Sequence, residues 1–182
     1  MKLLKVALGL LSFMGLASCA SLASHPIETS TTKIVYTEYS NSGLAISTTY
    51  ELQADSLSWK YVEMRNDCSL KDVSRCDADD FRALLSALSA IKFSASDAHD
   101  HSVGGAGWGI NFENAKGSYF HFNSKYKLSG DHQQVLALLK DYINAHKPEG
   151  LKCFEALQSQ PHESAMFGEF LELPEALKAY KE

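Results

Sequence analysis

The stretch "KIVYTEYSNSGLAISTTYELQADSLSWKY", residues 33–61, decides the fold. Its first seven residues are rich in branched and aromatic side chains, which suit the surface of a pleated strand. Asn41-Ser42-Gly43 follows as a turn signal. Leu44, Ile46, Thr48, Tyr50 and Leu52 then alternate with Ala45, Ser47, Thr49 and Glu51. Successive strand side chains point to opposite faces, so this alternation predicts a half-buried strand. "QADS" turns the chain again, and Leu57, Trp59 and Tyr61 mark the inward face of a third strand. The segment reads as a three-stranded meander.

Downstream the period changes. Asp77 is placed to cap a helix with Asp80 at its N3 position, and an acidic first turn suits the helix dipole. Phe81, Leu84, Leu85, Leu88 and Ile91 share one face at helical spacing. Trp108, Ile110 and Phe112 then begin a hairpin whose turn is "ENAKG", and Phe120 and Phe122 return on the buried face. Ser129 or Gly130 starts a second helix with Val135, Leu138, Leu139, Tyr142 and Ile143 inward, and Lys147-Pro148 ends it. The order βββ-α-ββ-α predicts an α+β fold, a two-layer antiparallel sheet of about five strands with two packed helices.

A C-terminal helical or irregular extension follows. In it Pro148, Pro161 and Pro174 lie thirteen residues apart, and each is followed six residues later by an aromatic: Phe154, Phe167, Tyr180. Proline suits a first helical turn, which allows three short helices. Coincidence in an irregular tail is the alternative reading. Met166, Phe167, Phe170 and Leu171 are too apolar for free disorder and are expected to pack on the domain or on a partner.

The N-terminus gives an address. Lys2 and Lys5 form a short positive n-region, and "LLKVALGLLSFMGLAS" supplies an apolar core that is short for a membrane span. It ends in Leu16-Ala17-Ser18-Cys19, which resembles the lipobox of bacterial lipoproteins. The resemblance implies cleavage before Cys19 and a diacylglyceryl group on its thiol, the acyl chains then forming the membrane anchor. An ordinary signal peptide cut nearby, with Cys19 incidental, is the bland alternative. Ala20 stands where lipoproteins kept in the inner membrane usually carry Asp. In a Gram-negative host that family rule implies the periplasmic face of the outer membrane. The expected organisation is a signal peptide over residues 1–18, a lipidated tether over 19–32, an α+β domain over 33–146 and the extension over 147–182.

Cleavage leaves 164 residues with 15 basic and 22 acidic side chains and no basic run, which argues against a nucleic-acid partner. That length can bury one sizeable core. Lipidation of Cys19 leaves three cysteines. An oxidising compartment permits a disulfide, and Cys68 with Cys76 is the natural pair, bracketing the polar "SLKDVSR". Closing that loop would contribute ~2–3 kcal/mol. Cys153 is then left over, or pairs with Cys68 or Cys76 instead. No Cys-x-x-Cys zinc pattern occurs.

The stretch "SDAHDHSVGGAGWG", residues 96–109, is the strongest candidate for chemistry. His99 and His101 could face one metal ion, with Asp97 or Asp100 adding oxygen and His121 or His132 brought in by folding. A solvated polar loop is the simpler reading. Gly104, Gly105, Gly107 and Gly109 follow a helix and lead into a strand, the reverse of a phosphate-binding loop, and no Lys or Arg lies between Lys92 and Lys116. Nucleotide binding is therefore not expected. No Gly-x-Ser-x-Gly elbow appears, Cys153 has no visible base, and Asp79-Asp80 read as helix capping. His121, between Phe120 and Phe122, reads as a solvent-side strand residue.

These readings converge on an envelope lipoprotein that is a non-enzymatic binding or interaction module, anchored in the membrane by lipid and meeting an envelope protein partner. Gly104, Gly105, Gly107 and Trp108 are its expected recognition loop. No cofactor is expected beyond the lipid on Cys19. The alternatives are a transition-metal protein using His99 and His101, or a periplasmic protease inhibitor. The second rests on layout over residues 33–146, which loosely resembles the emfourin-type protease inhibitors and carries over no functional residue.

Overall fold

The computed structural model describes residues 27–40, 46–64, 67–91, 106–124, 130–159 and 173–182. Six antiparallel strands form one open sheet: β1 (Lys33–Ser40), β2 (Ile46–Gln53), β3 (Ser56–Glu63), β4 (Cys68–Arg75), β5 (Ala106–Asn114) and β6 (Gly117–Ser124). Their spatial order is β4-β3-β2-β1-β5-β6. Between β4 and β5 the chain forms α1 (Ala78–Ser89), and after β6 come α2 (Gly130–Ala145), α3 (Glu149–Gln158) and α4 (Glu175–Lys178). The fold is α+β as expected, with a fourth strand that the sequence pattern hides.

Register explains the core. Ile34 stands opposite Leu52 and Phe112, Leu52 opposite Leu57, and Tyr36 opposite Tyr50 and Ile110. These residues share one face, and Ile34, Tyr36, Leu52, Leu57, Trp59, Ile110 and Phe112 are all at most 2% exposed. Phe81, Leu84, Leu85, Leu88 and Ile91 cover them from α1 and its end, as the helical spacing requires. Asp77 caps α1, its carboxylate accepting the Asp79 amide at 2.9 Å. In α2 the inward arc is Val135, Leu136, Leu139, Tyr142 and Ile143, with His132 also buried; Leu138, expected inward, is only half-buried. The β5–β6 turn needs Gly117, whose φ of 111° disfavours any side chain.

The stretch read as a polar loop between Cys68 and Cys76 is β4. Leu70 is its only buried residue, and two inward positions are polar because they hold helix ends. Asp72 accepts the Gly150 amide at 2.7 Å, which supplies the cap that Pro148 cannot give α3. Ser74 donates to the His146 carbonyl just past α2. A hydrophobic-pattern reading misses such a strand, whose inward side chains bind backbone rather than oil.

Both expected domain boundaries move outward. Ile27 and Thr31 are buried, Thr31 shares the Tyr119 hydroxyl with the Glu28 amide, and the Thr32 amide donates to the Glu113 carbonyl. Residues 27–32, read from the sequence as part of a tether, therefore pack with the body. At the other end, Leu151, Phe154 and Leu177 enter the core. Pro148 and Pro174 each stand immediately before a helix, as the proline spacing allows; Pro161 lies outside the described residues. Tyr180, Lys181 and Glu182 then pair with the free edge of β4, through Lys71 N–H to the Tyr180 carbonyl and Glu182 N–H to the Ser69 carbonyl. The extension over 147–182 is thus part of the domain where it is described.

Candidate functional site

The candidate metal ligands His99 and His101, with Asp97 and Asp100, lie outside the described residues, as do Gly104 and Gly105 of the expected recognition loop. Its end is described and serves the sheet. Gly107 is in β5 opposite Tyr39, and a Cβ there would fall 2.6 Å from the tyrosine Cζ, so the glycine makes room for a ring lying across the strand. Trp108 is half-buried on the core side, its ring centroid 6.4 Å from that of His132. His132 is thus placed against the core. His121 is a β6 residue paired with Asn111. Among the described residues no group of three or more His, Cys, Asp or Glu side chains is arranged to hold a metal ion.

The Cys68–Cys76 disulfide is corrected by β4. The strand begins at Cys68 itself, and the seven residues 69–75 carry the chain about 26 Å to Cys76, whereas a bridge needs Cα atoms within about 7 Å. Cys68, Cys76 and Cys153 are all free thiols. Burial raises the Cys68 thiol above its ordinary pKa, with the Glu63 carboxylate adding to it. Burial likewise raises Cys76, against partial relief from Tyr142 and Ser74. His146 lies close by, stacked on Tyr142 at 4.3 Å. Its Nδ1 faces the Tyr142 carbonyl at 2.9 Å and its Nε2 faces the Asp80 carboxylate at 3.1 Å. Both ring nitrogens are thus directed at Tyr142 and Asp80 rather than at the Cys76 thiol. Alkylation of the unfolded chain from Ala20 onward, without reductant, should modify all three cysteines. Mass spectrometry showing one modified thiol would restore a disulfide.

The denser polar group lies elsewhere, on the helix-facing side of the sheet, at residues that carry no motif in the sequence. Alternation from Ile34 places Tyr36 and Glu38 on one face, and alternation from Trp59 places Tyr61 and Glu63 there too. The Tyr36 hydroxyl donates to Glu38, and its ring stacks on Tyr50 with centroids 5.7 Å apart. The Tyr61 hydroxyl donates to Glu63 at 3.1 Å, where Glu63 is only 3% exposed. From α2, Lys140 reaches Glu38 at 3.2 Å. From α3, Glu155 pairs with Lys147, and Phe154 packs on Tyr61 at 4.6 Å.

Tyr50 is the centre of this group. Burial raises its pKa far above the usual phenol value, and the Glu38 and Glu155 carboxylates raise it further. Burial does the same for Tyr36 and Tyr61, helped by Glu38 and Glu63 respectively. All three phenols are therefore held protonated, and those of Tyr36 and Tyr61 donate to Glu38 and Glu63. Such an arrangement can hold hydrogen-bonding and cationic groups. Water reaches it, since the Lys140 and Glu38 side chains are 55% and 42% exposed.

No protein-family model, curated protein or solved structure matches the chain.

Proposed function

We propose that the chain is a non-enzymatic binding module of a bacterial envelope, held by lipid on Cys19 at the periplasmic face of the outer membrane. Its ligand seat is the group around Tyr50, between Lys140 of α2 and Glu155 of α3. The observation that carries this reading is the Tyr36–Tyr50 stack with its hydroxyl-bound carboxylate Glu38 left half open to water. An ammonium already fits there, that of Lys140, which marks the chemistry of a ligand as an amine or guanidinium. Among the described residues no helix is long and apolar enough to cross a membrane.

A photo-crosslinking amino acid placed at Lys140 of the native lipoprotein tests the seat. Lys152, equally exposed on α3 and paired with Glu149 one turn earlier, serves as the control position. Adducts formed in the envelope from position 140, and lost in a Glu38→Gln/Tyr50→Phe background, support the seat. Equal adducts from both positions, or adducts indifferent to that background, would remove it.

A further inference from the structure

His146 closes the corner where α1 meets the end of α2. It lies one residue past α2, and its backbone is held on two sides. Its amide donates to the Tyr142 and Ile143 carbonyls, and its carbonyl accepts from Ser74 of β4. Only 15% of the side chain is exposed. The ring stacks on Tyr142 at 4.3 Å, and Tyr142 meets the edge of Phe81 from α1 at 6.3 Å. Packing thus sets the direction of each ring nitrogen. Nδ1 faces the Tyr142 carbonyl at 2.9 Å, and Nε2 faces the Asp80 carboxylate of α1 at 3.1 Å.

A carbonyl and a carboxylate can only accept, and neutral imidazole has a single N–H. Whichever tautomer forms, one nitrogen turns its lone pair toward an oxygen. The imidazolium donates to both. Helix dipoles favour the same form: Asp80 lies in the first turn of α1, where an anion is stabilised, and His146 lies at the carboxyl end of α2, where a cation is. Also around the corner, among the described residues, are Asp77 and Cys76 beside Tyr142, with Asp55 beside Cys76. Lys147, the next residue, is turned to Glu155 of α3. We infer that His146 is a proton-operated clasp, which ties α1 to the end of α2 when its imidazole carries both protons and eases when one leaves. Histidine exchanges that proton between about pH 5 and 8, so the clasp stabilises the fold at the acid end of this range and is lost toward the alkaline end. The inference draws on neither the lipid anchor nor the ligand seat.

A double-mutant cycle read at two pH values tests the clasp. Parent, Asp80→Asn, His146→Gln and the double variant are unfolded in urea at about pH 5.5 and about pH 8. The chain from Ala20 onward serves, since it holds every residue described above. The cycle cancels what each change does by itself, including the dipole contribution of Asp80. The pair should be coupled by about threefold in the unfolding constant at the acid pH, and by no measurable factor at the alkaline one. Coupling that is equal at the two pH values, absent from both or larger at the alkaline one would overturn the clasp. Should His146→Gln not fold, parent and Asp80→Asn decide it alone. Their stability gap must widen on acidification, and a gap that stays constant or narrows overturns the inference.

Discussion

Trp59→Ala should lower the stability of the domain by roughly 3–5 kcal/mol, the range of large-to-small changes at a sealed core position. Trp59 is 0% exposed in the central part of the sheet, opposite Tyr50 on β2, and packs on Phe154 of α3 at 5.5 Å. Alanine there opens a void beneath both the phenol group and α3. The indole also carries a cost of its own, because its buried N–H finds no acceptor among the described residues. Losing that donor recovers about 1–3 kcal/mol of desolvation. Trp59→Phe should therefore fall within about 1 kcal/mol of the parent, since the recovered desolvation offsets the lost volume. Urea denaturation of both variants decides it: a large drop for alanine with a small one for phenylalanine is expected, and equal drops would mean the indole N–H is satisfied.

Ending the chain at residue 172 should be the second large effect. It removes Leu177 from the core, a loss of about 2–5 kcal/mol for such a side chain. It also strips β4 of its neighbour, leaving the Lys71 amide and the Ser69 carbonyl at an open edge. Open edges template pairing with other chains, so the shortened protein should aggregate at concentrations where the full chain stays dispersed. Denaturation midpoint and light scattering measure the two consequences separately. A truncated protein as stable and as dispersed as the parent would show that residues 173–182 only decorate the edge.

Sequence pattern locates structure well where side chains face oil. Leu57, Trp59 and Tyr61, the five apolar residues around α1, and Ile110 with Phe112 all point where period 2 or period 3.6 places them. It fails where inward side chains are polar. Asp72 and Ser74 look like loop residues until α3 and the end of α2 supply their partners, which hides β4 and suggests a disulfide across it. The same blindness covers the phenol–carboxylate group. Tyr36, Glu38, Tyr61 and Glu63 are legible by alternation, but a carboxylate on a core face reads as an interruption until its tyrosine donor is seen. Lys140 and Glu155 reach that group from helices whose placement no local pattern encodes. The histidine and glycine loop stands out because its residue types are rare together. The described part of it, Gly107 and Trp108, is explained by Tyr39 and by packing near His132.

The lipid anchor proposed on Cys19 can be read from the mature N-terminus. Mass spectrometry of the N-terminal peptide from the membrane fraction should show Cys19 as the first residue, its thiol carrying a diacylglyceryl group. Cys19→Ser should stall processing or shift the protein out of that fraction. A mature chain that begins at another residue, or a processed Cys19→Ser form that still sediments with membranes, would rule out the lipid anchor.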